Sequence, residues 1–461
     1  MLTAIILAAQ IAFSSPVHFP ISLAGNFGEP RPNHFHGGID VRTEMVEGKP
    51  IFVVAEGYVS RITISKYGFG NALYVQHPNG TTSVYCHLRG FVPALRRLVS
   101  QERRRQHLPD EIDRAHNPSA ELDLQLRPTD FPVARGQLIA ISGNTGSSVA
   151  PHLHLEIHDT RSWAMLDPLR FVGSYLVDKT PPQAHALMAY PQPGEGVFND
   201  YATNQYFGLE QTFTAWGRVG FGLWADDYMD DTYHHYGIRH TRLLVDGEVV
   251  FESDVDSIPM YCNRMVNSWG DYYHYLRSHV WYMKSFLDPG LSMPCFRTTA
   301  DRGIVTFNEE RLYNLTYVLT DAYGNSSTYS FNVQGKRRSI PRAPKRNYVN
   351  MARWSRPFHC QLPGAQLVIP GANLPTDVEL TPRMTLREGA LSHAYTFAER
   401  SLPLFAGATL SLRLNRKPAD PSRLCLKCGT QTIPATYRDG WVSATIKDLG
   451  QTYTVEVEEK K

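Results

Sequence analysis

Aliphatic and polar residues alternate strictly along HLHLEIH (152–158), and a period of two predicts a half-buried strand. Leu153, Leu155 and Ile157 then face a core, while His152, His154, Glu156 and His158 share the opposite face. The same period recurs upstream. PIFVVAEGYVSRITIS (50–65) reads as two strands about a Glu56-Gly57 turn, and ALYVQH (72–77) and TTSVYCHL (81–88) flank Pro78-Asn79-Gly80. Asn-Gly is the strongest short hairpin signal, so these two segments should pair. Alternation in the second of them puts His87 on the face of Tyr85 and Ser83. LIAIS (138–142) leads through the turn-rich GNTGSSVAP into the histidine strand. Between His87 and Gly136 the pattern changes. PALRRLVSQERRRQ has Leu95, Leu98 and Val99 at helical spacing, which predicts a helical insertion over about 93–132. Its five arginines read as a solvated helix face, with contact to an anionic polymer as the alternative.

Beyond DKTPPQAHA (178–186), a break in the pattern, alternating segments resume and end in LYNLTYVLTDAYGNSSTYSFNVQG, two strands about Gly324-Asn325. These are the marks of a β-sandwich over 181–335. KRRSIPRAPKR (336–346) is a basic, proline-punctuated linker. AQLVIPG, ATLSLRLN and TYTVEVEE predict a small β domain over 347–461. The first domain is expected over 16–180. Before it, LTAIILAAQIAF has the length of a signal-peptide core and is too short to span a bilayer, although it lacks a basic start. Residues 1–15 are therefore expected to be a signal peptide. No later segment is apolar enough for a transmembrane helix.

A length of 461 residues calls for two or three domains, and 34 glycines, 31 prolines and 11% aromatics favour a β-rich chain with many turns. A formal charge of +2 argues against nucleic acid as the main partner. The six cysteines show no framework spacing; CLKC (425–428) reads as a local disulfide or two free thiols rather than a metal or redox motif. Asp226, Asp227, Asp230 and Asp231 lack calcium-loop spacing and read as a solvated turn. The WGDYYHY run (269–275) offers aromatics that can stack on sugars, with core or inter-domain packing preferred.

The candidate chemistry lies in the first domain. HGGID places His36 and Asp40 four apart around two glycines, and His152 and His154 flank a single leucine about 110 residues later. Imidazole nitrogen and carboxylate oxygen are zinc donors, and a catalytic site holds three of them with a fourth position open. Each motif alone is weak. With HGGID come Ala55, Gly57 and Val59 in A-x-G-x-V, then GFGNALYVQHPNG, YCHL, and RGQLIAISGNTGSS running to PHLHLEI. In that order, over residues 25–160, the chain resembles the lysostaphin/LytM-type zinc metallopeptidases, in the variant with an insertion after Y-x-H-L and β domains downstream.

The resemblance implies a mainly β protein: an antiparallel-sheet LytM-like peptidase domain, a β-sandwich and a small C-terminal β domain. It implies one zinc ion on His36, Asp40 and His154, and His87 and His152 as the catalytic pair that contacts the activated water and the developing oxyanion. The activity implied is a zinc metalloendopeptidase cutting the peptide cross-links of bacterial peptidoglycan, exported to the periplasm or beyond. A non-hydrolytic cell-wall-binding or amidase-activating protein of the same fold is the alternative. His34 and His77 are expected at loop or strand ends and His158 at the rim. Asn71 reads as turn chemistry, and Tyr85 is equally suited to groove or core. The β regions after Asp178 are expected to position the enzyme on its substrate or partners.

Overall fold

A computed structural model describes residues 11–108, 121–209, 212–230, 232–346 and 348–458. Most of the expected leader, and residues 109–120 of the expected insertion, lie outside these. Within them Phe13 already packs on Phe171 (ring centroids 4.8 Å), and the Ser14 amide donates to the Val54 carbonyl.

The fold is mainly β. In the first part, β1 (Leu23–Gly25), β2 (Ile39–Arg42), β3 (Gly57–Ile64), β4 (Ala72–Gln76), β5 (Thr81–Cys86), β6 (Leu122–Gln125) and β7 (His152–Asp159) form one sheet. Its order is β1-β2-β7-β5-β4-β3-β6, with antiparallel pairing throughout. The β4–β5 hairpin turns at Pro78-Asn79-Gly80 as its sequence requires, with Gly80 at φ +83°. A smaller sheet of Pro50–Phe52, Leu138–Ile141 and Gly90–Phe91 covers one face. Ile51, Phe91 and Ile139 meet Val41, Leu153, Leu155 and Ile157 there in one apolar core. Full burial of such a side chain stabilises the fold by about 1.5–3 kcal/mol, which fixes the strand register.

The insertion is only partly helical. Helix α1 (Pro93–Arg105) starts on a proline and buries Leu95 and Val99 in the same core, with Leu98 half-buried beside them. It is followed by β6, and then by Pro132–Val133, both hydrogen-bonded to β3. The alternating LDLQ of β6 is too short a run to outweigh its charged surroundings in the sequence. Nor are all five arginines on a solvated face, because Arg103 falls two turns after Leu95 on the packed side and is fully buried.

The second part is built on two long paired strands, β8 (Gln183–Phe198) and β9 (Thr212–Asp226). A second ribbon combines β10 (His240–Val245), β11 (Glu248–Asp254), β12 (Leu312–Thr320) and β13 (Ser326–Gly335). β9 joins β13 in a parallel register, and Phe198, Phe213, Phe221, Phe251, Phe307 and Phe331 fill the space between. Between β11 and β12 lie short helical turns over 260–278, where Trp269 is buried and Tyr275 stacks on Trp281. The last part packs two five-stranded sheets about Leu367, Leu410, Leu426, Ile446 and Val455. It docks on the helical turns, where the Arg264 Nε donates to the Leu404 carbonyl and the Arg400 guanidinium lies 4.5 Å from the Tyr273 ring.

One expectation is corrected. Asp227 is not on a solvated turn but buried at 2% exposure, while Asp231 lies outside the described residues. Of the two readings of CLKC, the structure has the free thiols, and all six cysteines are unpaired by disulfide.

The first and second parts share more than a linker. Met165–Leu166 pairs with β7 on one side and with Ser257–Ile258 on the other, extending the first sheet with a strand from the second part. Phe27, Phe35 and Met165 are buried in the core of the second part, and Met229 and Tyr236 in that of the first.

Candidate metal centre and active site

β7 lies between β2 and β5, and its register opposes His154 to Asp40 on one neighbour and to Cys86 on the other. Directly opposed residues project to the same face of an antiparallel pair, so Asp40 and His154 meet by pairing alone. His36 precedes β2 across the two glycines. A Cβ on Gly38 would sit 2.2 Å from the Leu155 carbonyl oxygen, and one on Gly37 would sit 2.6 Å from Glu156 Oε1. HGGID thus has its glycines because the segment lies against β7 with no room for side chains.

His36 Nε2, Asp40 Oδ1 and His154 Nδ1 form a triangle with edges of 3.0, 2.8 and 3.0 Å. All three residues are buried. The remaining ring nitrogens fix the tautomers. His36 Nδ1 donates to the Asn26 carbonyl (2.6 Å), and His154 Nε2 donates to Glu156 Oε1 (2.9 Å). Once metal binding displaces the proton from His154 Nδ1, two imidazole lone pairs and a carboxylate oxygen converge on one point. Three donors on tetrahedral zinc at about 2.0–2.1 Å would stand roughly 3.3 Å apart, so the donor set and its spacing fit zinc.

Glu156 is the residue that sequence reasoning passed over. It is buried between two histidines, accepting from His154 Nε2 and, at 2.6 Å, from His158 Nε2. His158 is accordingly not at the rim: it is 2% exposed and stacks on Trp163 at 4.4 Å. The signal was present in HLHLEIH, since all four polar residues share a face. Burial pushes the Glu156 carboxyl up, but hydrogen bonds and charge from His154 and His158 outweigh it and hold the group far below the usual range. Burial pulls His154 down, and Asp40 and Glu156 reverse this, raising it to about 9. Asp40 is likewise held well below its ordinary value, with burial opposed by His36, His152 and His154. A second missed neighbour, Arg31, binds Asp40 Oδ2 at 2.9 Å and leaves Oδ1 turned to the histidines.

His87 and His152 stand beside the triangle with ring centroids 4.8 Å apart, and His87 is 5.8 Å from His154. His87 does not share the face of Tyr85 as alternation required. Tyr85 points into the core, where its hydroxyl accepts from the Val54 amide. His87, just past the end of β5, has a φ of +59°, and this left-handed turn swings its ring to the side of His154. A left-handed conformation costs a non-glycine residue about 1–2 kcal/mol. Two loops hold it. The His87 amide donates to the Phe69 carbonyl, its Nδ1 donates to the Thr145 carbonyl (2.8 Å), and Asn71 Nδ2 donates to the next carbonyl, that of Leu88. Asn71 thus clamps the turn that carries His87. Burial, with the neighbouring His154 and His152, lowers His87 to about 3, so the ring is neutral at pH 7. His152 Nδ1 donates to the Ala150 carbonyl (2.8 Å), and its Nε2 lies 3.4 Å from Asp40 Oδ1. His34 is exposed, bonded to the Pro32 carbonyl, and His77 is buried between Glu56 and Ser83. Neither enters the triangle.

The five residues open on a groove of about 640 Å³. Phe69 and Val149 line it from the first part, and Tyr233, His234, Met260 and Asn263 from the second.

Comparison with known proteins adds four findings. A family model described as a Zu5-like domain matches residues 349–458. The DD-carboxypeptidase/endopeptidase Mpg of Neisseria meningitidis is 27% identical over 121 residues, 26% of this chain and 19% of that protein. An uncharacterized metalloprotease of Haemophilus influenzae is 28% identical over 123 residues, 27% of this chain and 18% of its own length. The chain thus matches about a fifth of the length of these curated relatives. Among solved structures, the catalytic domain of lysostaphin from Staphylococcus simulans is 22% identical, covering 32% of this chain and 87% of that one, with a TM-score of 0.22. The two curated matches, to an endopeptidase and to a metalloprotease, accord with the metallopeptidase resemblance of the motifs. No helix among the described residues is long and apolar enough to cross a membrane.

Proposed function

We propose that this chain is a zinc metalloendopeptidase, exported from the cell, that hydrolyses peptide cross-links of bacterial peptidoglycan. The observation that carries the chemistry is the donor triangle, in which both histidines have their protons committed elsewhere and their lone pairs turned inward. Zinc, when bound, makes water nucleophilic near neutral pH and polarises the scissile carbonyl. The protein's own residues do the rest. His36, Asp40 and His154 would hold the ion, and Glu156 orients His154 and increases its basicity. His87 and His152 have Nδ1 tied to carbonyls, so each presents Nε2 as an acceptor. A proton taken at His152 can be returned to the leaving amine, and its protonated ring donates toward the oxyanion, while neutral His87 accepts a hydrogen bond and orients its donor. A groove walled by Phe69 and Tyr233 suits an extended peptide. Peptidoglycan as substrate draws on the motif resemblance and on the activity named for the meningococcal relative.

Digestion of purified sacculi with and without a chelator, followed by mass analysis of released muropeptides, tests the reading. Chelator-sensitive release of cross-link-cleaved fragments is expected. Zinc bound with no fragments released would favour the non-hydrolytic alternative, a wall-binding or amidase-activating protein.

A further inference from the structure

A second cluster of metal-ligating side chains lies away from the groove. Asp178 ends the first part, Asp227 follows β9, and Asp321 follows β12. One carboxylate oxygen from each lies within 4.8 Å of the others, and exposures are 7%, 2% and 3%. Three buried carboxylates repel one another, and each loses hydration. Neutral donors answer only part of this. Asp321 Oδ1 accepts from the amides of Tyr323 and Asn325, its Oδ2 accepts from Asn325 Nδ2, and Asp178 Oδ1 accepts from the Thr180 amide. Asp178 Oδ2 and Asp227 Oδ1 are buried and accept no hydrogen bond among the described residues. The charges acting on Asp227 are those of Asp321 and Asp178, both negative.

We propose that Asp178, Asp227 and Asp321 form a second cation site, for calcium, at the seam between the first and second parts. The orphaned oxygens point to this ligand, since buried acceptors without donors are rare and require a partner. An all-oxygen donor set without histidine or cysteine suits a hard ion, not zinc. Calcium accepts irregular oxygen shells of six to eight ligands, whereas magnesium demands a near-octahedral shell and gives up its waters reluctantly. Three carboxylates also exceed the ion's charge by only one.

The site has a route to the groove. Asp227 and Tyr236 exchange backbone hydrogen bonds, and the Tyr236 hydroxyl donates to the Leu23 carbonyl of β1, the neighbour of the strand bearing Asp40. Tyr233 and His234, on the loop between Asp227 and Tyr236, line the groove. Calcium would fix both ends of the connection that carries this wall. None of these carboxylates belongs to the zinc triangle, so the second site stands without it.

The test uses the full-length protein with zinc kept saturating. Thermal melts are run with calcium or magnesium from zero to 10 mM, on wild type, Asp227→Asn and Asp321→Asn. Extracellular calcium modules bind at about 10⁻⁴–10⁻³ M, so 10 mM calcium should raise the wild-type Tm by about 2–3 °C. Magnesium should do so less, and either variant should lose the response. Should the variants fail to fold, terbium titration of wild type gives a second measure, with a saturable, calcium-displaced signal of one ion per chain beyond zinc expected. A wild-type Tm indifferent to calcium, an equal shift in the variants, or terbium that calcium does not displace overturns the proposal. The carboxylates would then be sharing protons instead.

Discussion

At the scale of single residues, metal holding and proton handling should separate cleanly. Asp40→Ala and His154→Ala are expected to lose zinc, because each removes one corner of a triangle with only three corners. His87→Ala and His152→Ala should keep zinc near one ion per chain, while turnover on a cross-linked peptide falls about a hundredfold or more. Metal analysis beside a peptidase assay checks both, and zinc loss in His152→Ala would mean that the two histidines of H-x-H have exchanged roles. Glu156→Gln should weaken zinc binding by about 10–100-fold without abolishing it, read from competition with a chelator. A different residue sets the response to pH. Asp227 titrates at about 8 in the folded chain, raised by burial and by Asp321 and Asp178, against about 3.9 when unfolded. Between those values the folded chain holds a proton that the unfolded chain releases, so its contribution is complete below about pH 4 and is lost as pH rises towards 8. In calcium-free buffer, urea denaturation should therefore show Asp227→Asn gaining on wild type from pH 5 to 8. A constant difference would show that Asp227 ionises normally.

At the scale of elements, what the sequence revealed depended on whether one interaction dominated. The histidine strand and the Asn-Gly hairpin were legible because alternation and turn chemistry acted together. Helix α1 was legible through Leu95 and Val99, but the burial of Arg103 two turns later was not, since charge argues for exposure and only tertiary packing reverses it. His87 shows the opposite failure. Its residue type was readable and its direction was not, because a single left-handed φ, imposed by Phe69 and Thr145 from other loops, breaks the alternation. Glu156 and His158 were visible on the correct face, yet a strand read in isolation cannot show that a tryptophan will cover them. The strand contact itself is testable. Gly38→Ala places a methyl carbon against the Leu155 carbonyl, and β2 must move away from β7. A loss of about 1–3 kcal/mol is expected, with weaker zinc binding, because Asp40 sits two residues on. A Gly38→Ala protein with unchanged stability and zinc affinity would mean that the register has slack.

At the scale of the whole molecule, the sequence pattern breaks near residue 180, but the packing crosses that point. Phe27, Phe35 and Met165 are buried against the second part, and full burial of each is worth about 1.5–3 kcal/mol. The Phe35 amide also donates to Asn263 Oδ1, immediately before His36. A chain ending at residue 180 is therefore expected to melt well below the full chain and to bind zinc at least tenfold more weakly. Equal affinity would show that the first part completes its own site.

That interdigitation also has a consequence in time. A chain emerging from the ribosome has its five candidate site residues by His154, but Phe35 waits for Asn263 and Trp269, more than a hundred residues behind. Until they arrive, the segment carrying His36 rests on β7 but lacks the packing that holds Phe35. The order of the sequence thus delays completion of the donor triangle's support until past the midpoint of synthesis.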